Sequence, residues 1–355
     1  VALSSTPHLL IAASGTGGHL FPALALAQEL PDYQIEWLGV PNRLETTLVP
    51  NCYSLNTIAV EGFQEGLSLK TLSISIRFIT SVFRVRQLIR EHHIDAVFTT
   101  GGYIAAPAIL AARWENKPAI IHEANFIPGK VTRFLSRWCD KTALGFAGSA
   151  RYLAKLDTSY VSTPVRPEFL EPQNLDLDIP DDVRLIVIVG GSQGAVAVNR
   201  LVRQAASAWL ATGAYIVHLT GNNDPDVNSL EHPHYIALPF YDKMAGLLQR
   251  ADLAIARSGA GTLTELAVTG TPAFLIPYPY AAEDHQTYNA RVFVNTGAAV
   301  MYQQSALTPT TLEQTVLEWL QSPDMLENMS TKMQTLAVKD SAARLANLVR
   351  QTLES

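Results

Sequence analysis

Two short stretches carry the residue types best suited to holding an anion. SGTGGH (14–19) and GGSQGA (190–195) each end an apolar run, turn on glycines and open a helical pattern. Gly15, Gly17 and Gly18 let the backbone turn tightly and approach a ligand with no Cβ in the way. The helix start behind them offers unpaired N–H groups and a partial positive charge. Gly190, Gly191, Gln193 and Gly194 repeat the arrangement, and Ser192 adds a hydroxyl. One such turn is an ordinary strand-to-helix connection; two, each opening half of the chain, point to phosphate-type ligands. Neither fits the commonest nucleotide fingerprints. The spacing G-x-G-x-x-G fails at Leu20, and a P-loop fails because Gly129-Lys130 is followed by Val131.

The elements that must position these turns are legible as alternating patterns. HLLIAA (8–13), IEWLG (35–39), DAVFTT (95–100), PAIIHE (118–123) and KTALGF (141–146) read as buried strands in the first half. RLIVIVG (184–190), AYIVHL (214–219), YIAL (235–238), ADLAIA (251–256) and PAFLIP (272–277) repeat the scheme in the second. Helical stretches lie between most of them, which predicts parallel sheets covered on both faces. Between the halves, residues 162–182 hold prolines at 164, 167, 172 and 180 and little periodicity, as a linker would. The expected class is therefore α/β, with two Rossmann-like parallel-sheet domains facing a cleft. Their expected bounds are 1–162 and 163–339, with a final helix at about 340–355 free to pack back on the first.

Bulk properties agree with that division. A chain of 355 residues exceeds one ordinary core, and 48% hydrophobic against 16% charged residues marks a globular protein. The net charge of −6 argues against general nucleic-acid binding. Residues 1–160 hold 14 Lys+Arg and 12 Asp+Glu, a balance of +2, whereas the remainder holds 12 and 20, a balance of −8. An anionic surface would meet the first half more readily. The opening VALSSTPHLLIAAS lacks a positive n-region, so no secretory signal is expected, and no unbroken apolar run reaches 18 residues. Cys52 and Cys139 lack metal-ligand spacing and are expected as buried thiols.

Residues 67–90 carry a different signal. Leu72, Ile76, Ile79 and Phe83 form one apolar row, and Phe78, Val82, Val85 and Ile89 form another. Lys70, Arg77, Arg84, Arg86 and Arg90 are interspersed, with no acid between Lys70 and Arg90. Two apolar faces exceed what one-sided packing needs, and a basic, apolar remainder suits an anionic membrane surface. Arg77, Phe78, Phe83, Arg84 and Arg86 are the expected docking residues. Asp176-Leu-Asp178 and Asp224-Pro-Asp226 spell D-x-D, a metal-binding signature in other enzymes, but both fall in loop-like sequence. Solvated acids are expected there, with no bound metal.

Seven motifs in order complete the picture: SGTGGHLFPALALA (14–27), TTGGYIAAPAILAA (99–112), HEANFIPG (122–129), TPVRPEF (163–169), GGSQGA, RSGAGTLTELA (257–267) and PYPYAAEDHQTYNA (277–290). Together they resemble the MurG family of GT-B glycosyltransferases, which convert lipid I to lipid II in peptidoglycan synthesis. The resemblance implies inverting transfer of N-acetylglucosamine from UDP-GlcNAc to the C4 hydroxyl of MurNAc, without a cofactor. It also implies a peripheral protein on the cytoplasmic side of the bacterial inner membrane. Donor contacts are implied at Thr16, Gly17, Gly18, Asn125, Arg166, Ser192, Tyr241, Glu265, Gln286 and Asn289. Glu265 would accept hydrogen bonds from the ribose hydroxyls, and Arg166 and Tyr241 would lie near the uracil. Gln286 and Asn289, three apart, share a helix face. Acceptor contacts are expected at Gly101, Gly102, Tyr103, His122 and Glu123.

His19 is the first candidate for the base that takes the acceptor's proton. At a helix start the positive dipole end disfavours a second positive charge, which keeps the ring neutral. His122 and Glu123 are the next candidates. The chain departs from the family pattern at Ser162, where glycine is usual, and at Ala124 and Thr132. Rival readings are another GT-B lipid glycosyltransferase, a UDP-GlcNAc 2-epimerase, and a non-catalytic sugar-nucleotide-binding subunit. The 67–90 stretch counts against the epimerase, and the presence of His19 and Glu265 counts against the non-catalytic subunit.

Overall fold

The computed structural model describes residues 6–60, 69–191 and 194–354, leaving out the side chains of 69–73. Two compact units divide the chain, Val1–Arg166 with Asp340–Ser355, and Pro167–Lys339. The division therefore falls after Arg166 rather than after residue 162.

The first unit is built on β1 (His8–Ala12), β2 (Gln34–Gly39), β3 (Ser54–Thr57), β4 (Ala96–Thr99), β5 (Ala119–Glu123), β6 (Lys141–Leu144) and β7 (Thr158–Tyr160). Their order is β3-β2-β1-β4-β5-β6-β7, and every pairing is parallel. Leu9 and Ile11 point to one face, onto Leu20, Leu26 and Trp37. Leu10 and Ala12 point to the other, onto Val85, Ile89 and Ile109. A strand covered on both sides must be apolar at every position, which is why β1 reads as an unbroken run. The final helix, Ser341–Glu354, sets Leu345 and Val349 into the first of these faces. Arg350 secures it by donating to Asp32 at 2.9 Å.

In the second unit β8 (Leu185–Val189), β9 (Tyr215–Leu219), β10 (Tyr235–Leu238), β11 (Leu253–Ala256), β12 (Ala273–Leu275) and β13 (Ala299–Met301) are ordered β10-β9-β8-β11-β12-β13, again all parallel. All ten strands expected from the sequence are present; β3, β7 and β13 are additional, and each is an edge strand.

Two expectations need correction here. Asp224 is buried rather than solvated: the Arg203 guanidinium donates to both its oxygens, at 2.7 and 3.1 Å, and Asn199 adds a third bond. Burial works to raise the Asp224 pKa, but these donors bring it down to about 2. Asp176 in turn accepts from Tyr241 and Lys243. Both D-x-D sequences thus have a structural use. Cys52 is exposed rather than buried; burial pushes the Cys139 thiol up to about 12 and leaves it inert.

In both sheets the strand order reverses beside the opening strand, between β1 and β4 and between β8 and β11. Ligands of open α/β sheets bind at the carboxyl ends of strands flanking such a point. The glycine-rich turns after β1, β4, β8 and β11 sit at those four ends.

Candidate active site

In the first unit the chain leaves β1 through Ser14 and turns at Gly15, whose φ of +103° is a left-handed value that disfavours any side chain. A Cβ there would meet nothing within 4 Å, so the turn has open space beside it. Its shape is held from below by Glu45, which is fully buried. The Glu45 carboxylate accepts from Val40 N–H at 2.7 Å, from Gly15 N–H at 3.2 Å and from the Ser14 hydroxyl. Glu45 was not singled out from the sequence, where it is one acid in a polar loop. The signal that could have found it is the glycine opposite, since a Cβ on Gly39 would stand 2.7 Å from Glu45 Cγ.

The helix Gly17–Gln28 follows, with Thr16 as its N-cap residue and His19 in its first turn. His19 Nδ1 lies 2.8 Å from the carbonyl oxygen of Thr100. A carbonyl only accepts, so Nδ1 carries a proton and Nε2 is the ring nitrogen left to accept one. Beyond Nε2 lie Gly101 and Gly102, with φ of +94° and +74°. Side chains are disfavoured at both, and a Cβ on either would stand 3.9 Å from the nearest imidazole atom. Thr99 ties this loop to β1 by donating to Ala12 O at 2.7 Å. The Thr100 hydroxyl is buried and has no hydrogen-bond partner among the described residues, which leaves a donor at the reversal point. Tyr103 is 62% exposed at the start of the next helix. Arg166, expected near a base, lies in the first unit with its guanidinium 4.5 Å from the Phe21 ring centroid.

At the end of β5 the sequence expectation is corrected in part. His122 is 1% exposed, and its Nε2–H donates to Ser162 O at 2.9 Å. Burial lowers its pKa, so it braces backbone as a neutral ring and presents nothing to an acceptor. Glu123 is also buried; it accepts from Asn125 N–H at 3.0 Å and Gly129 N–H at 2.9 Å, and so shapes the loop that carries Asn125. Ser162 itself adopts φ +67°, a left-handed conformation that glycine adopts without strain.

In the second unit Ser192 lies outside the described residues. The turn after β11 is well defined. Arg257 is buried and donates to Ile276 O and Pro277 O, both at 3.0 Å, and to Gln304. Ser258 is fully buried and donates to Gln286 O at 2.9 Å. These bonds fix the start of the helix Ala260–Thr269, where a Cβ on Gly259 or Gly261 would meet nothing within 4 Å. Glu265 stands one turn beyond Gly261 on the same face and is partly exposed, whereas Leu263 and Leu266 are buried. That face can present amides to a diphosphate and a carboxylate to a diol.

Two of the expected donor contacts have polar groups engaged inside the protein. Asn289 is fully buried, and its amide donates to Ser258 O at 3.3 Å. Tyr241 is 9% exposed, and its hydroxyl donates to Asp176; burial and that carboxylate push it up to about 12. Gln286, partly exposed, spends its side-chain oxygen on Tyr278 N–H at 2.9 Å.

The helix Leu69–Glu91 resolves its two apolar rows. Val82, Val85 and Ile89 are buried, with Phe78 packed beside them. Ile76, Ile79 and Phe83 are 57%, 55% and 49% exposed. Arg77 and Arg84 are exposed with them, whereas Arg86 pairs with Glu115 and lies 4.4 Å over the Trp114 ring. Phe78 and Arg86 of the expected docking residues are thus engaged by protein, and Trp114, 51% exposed, lies 5.3 Å from Phe83. Among the described residues no helix is long and apolar enough to cross a membrane.

Residues 9–144 fit the glycosyltransferase family 28 N-terminal domain, and residues 185–345 fit the family 28 C-terminal domain. The chain is 66% identical to a UDP-N-acetylglucosamine--N-acetylmuramyl-(pentapeptide) pyrophosphoryl-undecaprenol N-acetylglucosamine transferase of Gloeothece citriformis, over 98% of this chain and 97% of that one. It is 67% identical to the protein of the same name from Rippkaea orientalis, over 96% and 97%. The crystal structure of Acinetobacter baumannii MurG superposes with a TM-score of 0.79 at 30% identity, covering 97% of this chain and 99% of that one.

Proposed function

The chain belongs to glycosyltransferase family 28, and on that premise we propose that it transfers N-acetylglucosamine from UDP-GlcNAc to the muramyl sugar of a pentapeptide-bearing polyprenyl diphosphate. The C4 hydroxyl oxygen of the acceptor attacks C1 of the donor sugar. The bond from C1 to the UDP oxygen breaks on the opposite face, and the configuration inverts. His19 Nε2 takes the hydroxyl proton. The observation that carries this assignment is the bond from His19 Nδ1 to Thr100 O, which leaves Nε2 as the acceptor at the reversal point of the first sheet. A base so placed contributes roughly 10²–10⁴-fold.

The leaving diphosphate gains charge as the bond breaks. The amides at the start of the helix Ala260–Thr269 are suited to stabilise it, and Glu265 to hold the ribose diol. Glu123 and Glu45 act through backbone: one shapes the Asn125 loop, the other the Gly15 turn. The acceptor lies in a membrane, and the exposed row Ile76, Ile79 and Phe83 with Trp114, Arg77 and Arg84 is the face that meets it. The protein would then work as a peripheral enzyme on the cytoplasmic side of the bacterial inner membrane. Incubation with radiolabelled UDP-GlcNAc and a short-chain polyprenyl diphosphate-linked muramyl pentapeptide tests the reading. Labelled lipid-linked disaccharide is expected; transfer to water or to an unrelated acceptor alone would refute it.

A further inference from the structure

The loops that follow β5 and β6 build a second feature at the same edge of the first sheet. Phe126, the residue after Asn125, packs edge-on against Phe146 and Tyr152, with ring centroids 5.9 and 6.3 Å apart. The Arg151 guanidinium lies over this cluster, 5.1 Å from the Phe126 centroid and 4.8 Å from that of Tyr152, and donates to the Tyr152 hydroxyl at 2.7 Å. Fully buried Ser149 locks the loops together by donating to Asn125 O at 3.2 Å and to Phe126 O at 2.9 Å. Arg151 is exposed, and no carboxylate pairs with it among the described residues. Arg86, Arg90, Arg184, Arg203 and Arg350 all have such a partner.

From this arrangement we infer that Arg151, Tyr152 and Phe126 form a subsite for a carboxylate of the acceptor's peptide. The inference rests on the transferase reading above. A guanidinium held against two aromatic rings and bonded to the Tyr152 hydroxyl has lost part of its rotamer freedom, and its remaining N–H groups match a planar carboxylate. The position suits the substrate. Three strand spacings separate β1, which carries the reaction, from β6. At about 4.8 Å each they make about 14 Å, and five extended peptide residues span at most about 17 Å. A peptide attached to a sugar beside His19 can therefore span to the end of β6, from which the loop carrying Arg151 leaves. The subsite would select acceptors that carry the complete peptide over those that lack it.

The test measures initial rates with three short-chain polyprenyl diphosphate-linked acceptors: the muramyl pentapeptide, the same compound with its carboxylates amidated, and the peptide-free sugar. Arg151→Ala is expected to raise the KM for the first by about tenfold or more, the loss of one charged hydrogen bond. The KM for UDP-GlcNAc should stay unchanged, which also reports that the variant is folded. Amidation should raise the wild-type KM by a similar factor, and with the amidated or peptide-free acceptor the two proteins should no longer differ. Equal KM values for wild type and Arg151→Ala with the unmodified peptide would overturn the subsite alone, as would an effect of the same size on all three acceptors. Lack of transfer by the wild type to any of them would overturn the transferase reading and the subsite with it.

Discussion

Replacing Phe83 by alanine tests the membrane face through a term that salt cannot imitate. Phe83 is 49% exposed. An aromatic side chain buries about 200 Å², so roughly 100 Å² remains for lipid to cover, worth about 2.5 kcal/mol at about 25 cal/mol per Å². Alanine keeps a small part of that, so the loss is about 2 kcal/mol, or about 30-fold in partition coefficient. Replacing the neighbouring Arg84 by alanine removes about 1 kcal/mol, or about fivefold, and only at low ionic strength. Arg86, already engaged by Glu115 and Trp114, should matter less than Arg84. The assay is sedimentation with vesicles containing anionic lipid, at low and high salt, for wild type and the three single variants. Binding weakened by Phe83→Ala at both salt concentrations, and by Arg84→Ala at low salt only, is the expected pattern. Unchanged partitioning of Phe83→Ala, or a larger effect from Arg86→Ala than from Arg84→Ala, would refute the assignment of this face.

His19→Ala should lower kcat by roughly 10²–10⁴-fold while the Kd for UDP-GlcNAc, measured by calorimetry, changes little; an unchanged kcat removes it as the base. Asp224→Asn leaves the buried Arg203 without its counter-charge and should cost about 3–5 kcal/mol in urea unfolding. In the wild type the Asp224 carboxylate is held below its ordinary 3.8, at about 2, so its contribution is complete above 3.8 and is lost as the pH falls towards 2. That difference corresponds to about 2 kcal/mol of acid-dependent stability, which the Asn variant should lack. Ser162→Gly relieves a left-handed residue at roughly 1–2 kcal/mol, set against about 0.5–1 kcal/mol of added chain entropy. A rise in melting temperature of about 2–4 °C is expected for a domain of this size, read by calorimetry; a fall would mean that the serine side chain makes a compensating contact.

The strands legible in the sequence are those whose two faces are both covered. β1, β4, β8 and β11 stand inside their sheets, so each reads as an apolar run ending at glycine. β3 (SLNT) and β7 (TSY) lie at sheet edges, where polar residues are tolerated and half the backbone pairing is absent, and their composition does not distinguish them from loop. The double apolar row of the helix Leu69–Glu91 was also legible, because its packed and open faces have separate periodicities. Which row was open was not, since that depends on the partners: Phe78 meets the core, and Arg86 meets Glu115 on the neighbouring helix turn.

At the candidate site the glycines and His19 could be placed from sequence because their requirements are local: a turn, a helix start and a following apolar face. His122, Asn289 and Tyr241 could not be sorted in the same way. Each is a hydrogen-bonding residue next to a ligand-type motif, and a sequence does not distinguish a side chain that faces a ligand from one that faces the backbone holding the motif. The physical distinction is burial. A polar group taken from water needs its bonds made inside the protein. His122 finds Ser162 O, Asn289 finds Ser258 O and Tyr241 finds Asp176. The Gly15 and Gly261 turns can stay open to a ligand because such bonds, with those of Glu45 and Arg257, carry the cost of holding their shape. Motif residues in this protein therefore divide by one criterion: those whose hydrogen bonds are spent on backbone build the site, and one with an uncommitted ring nitrogen, His19 at Nε2, is the one proposed to meet substrate.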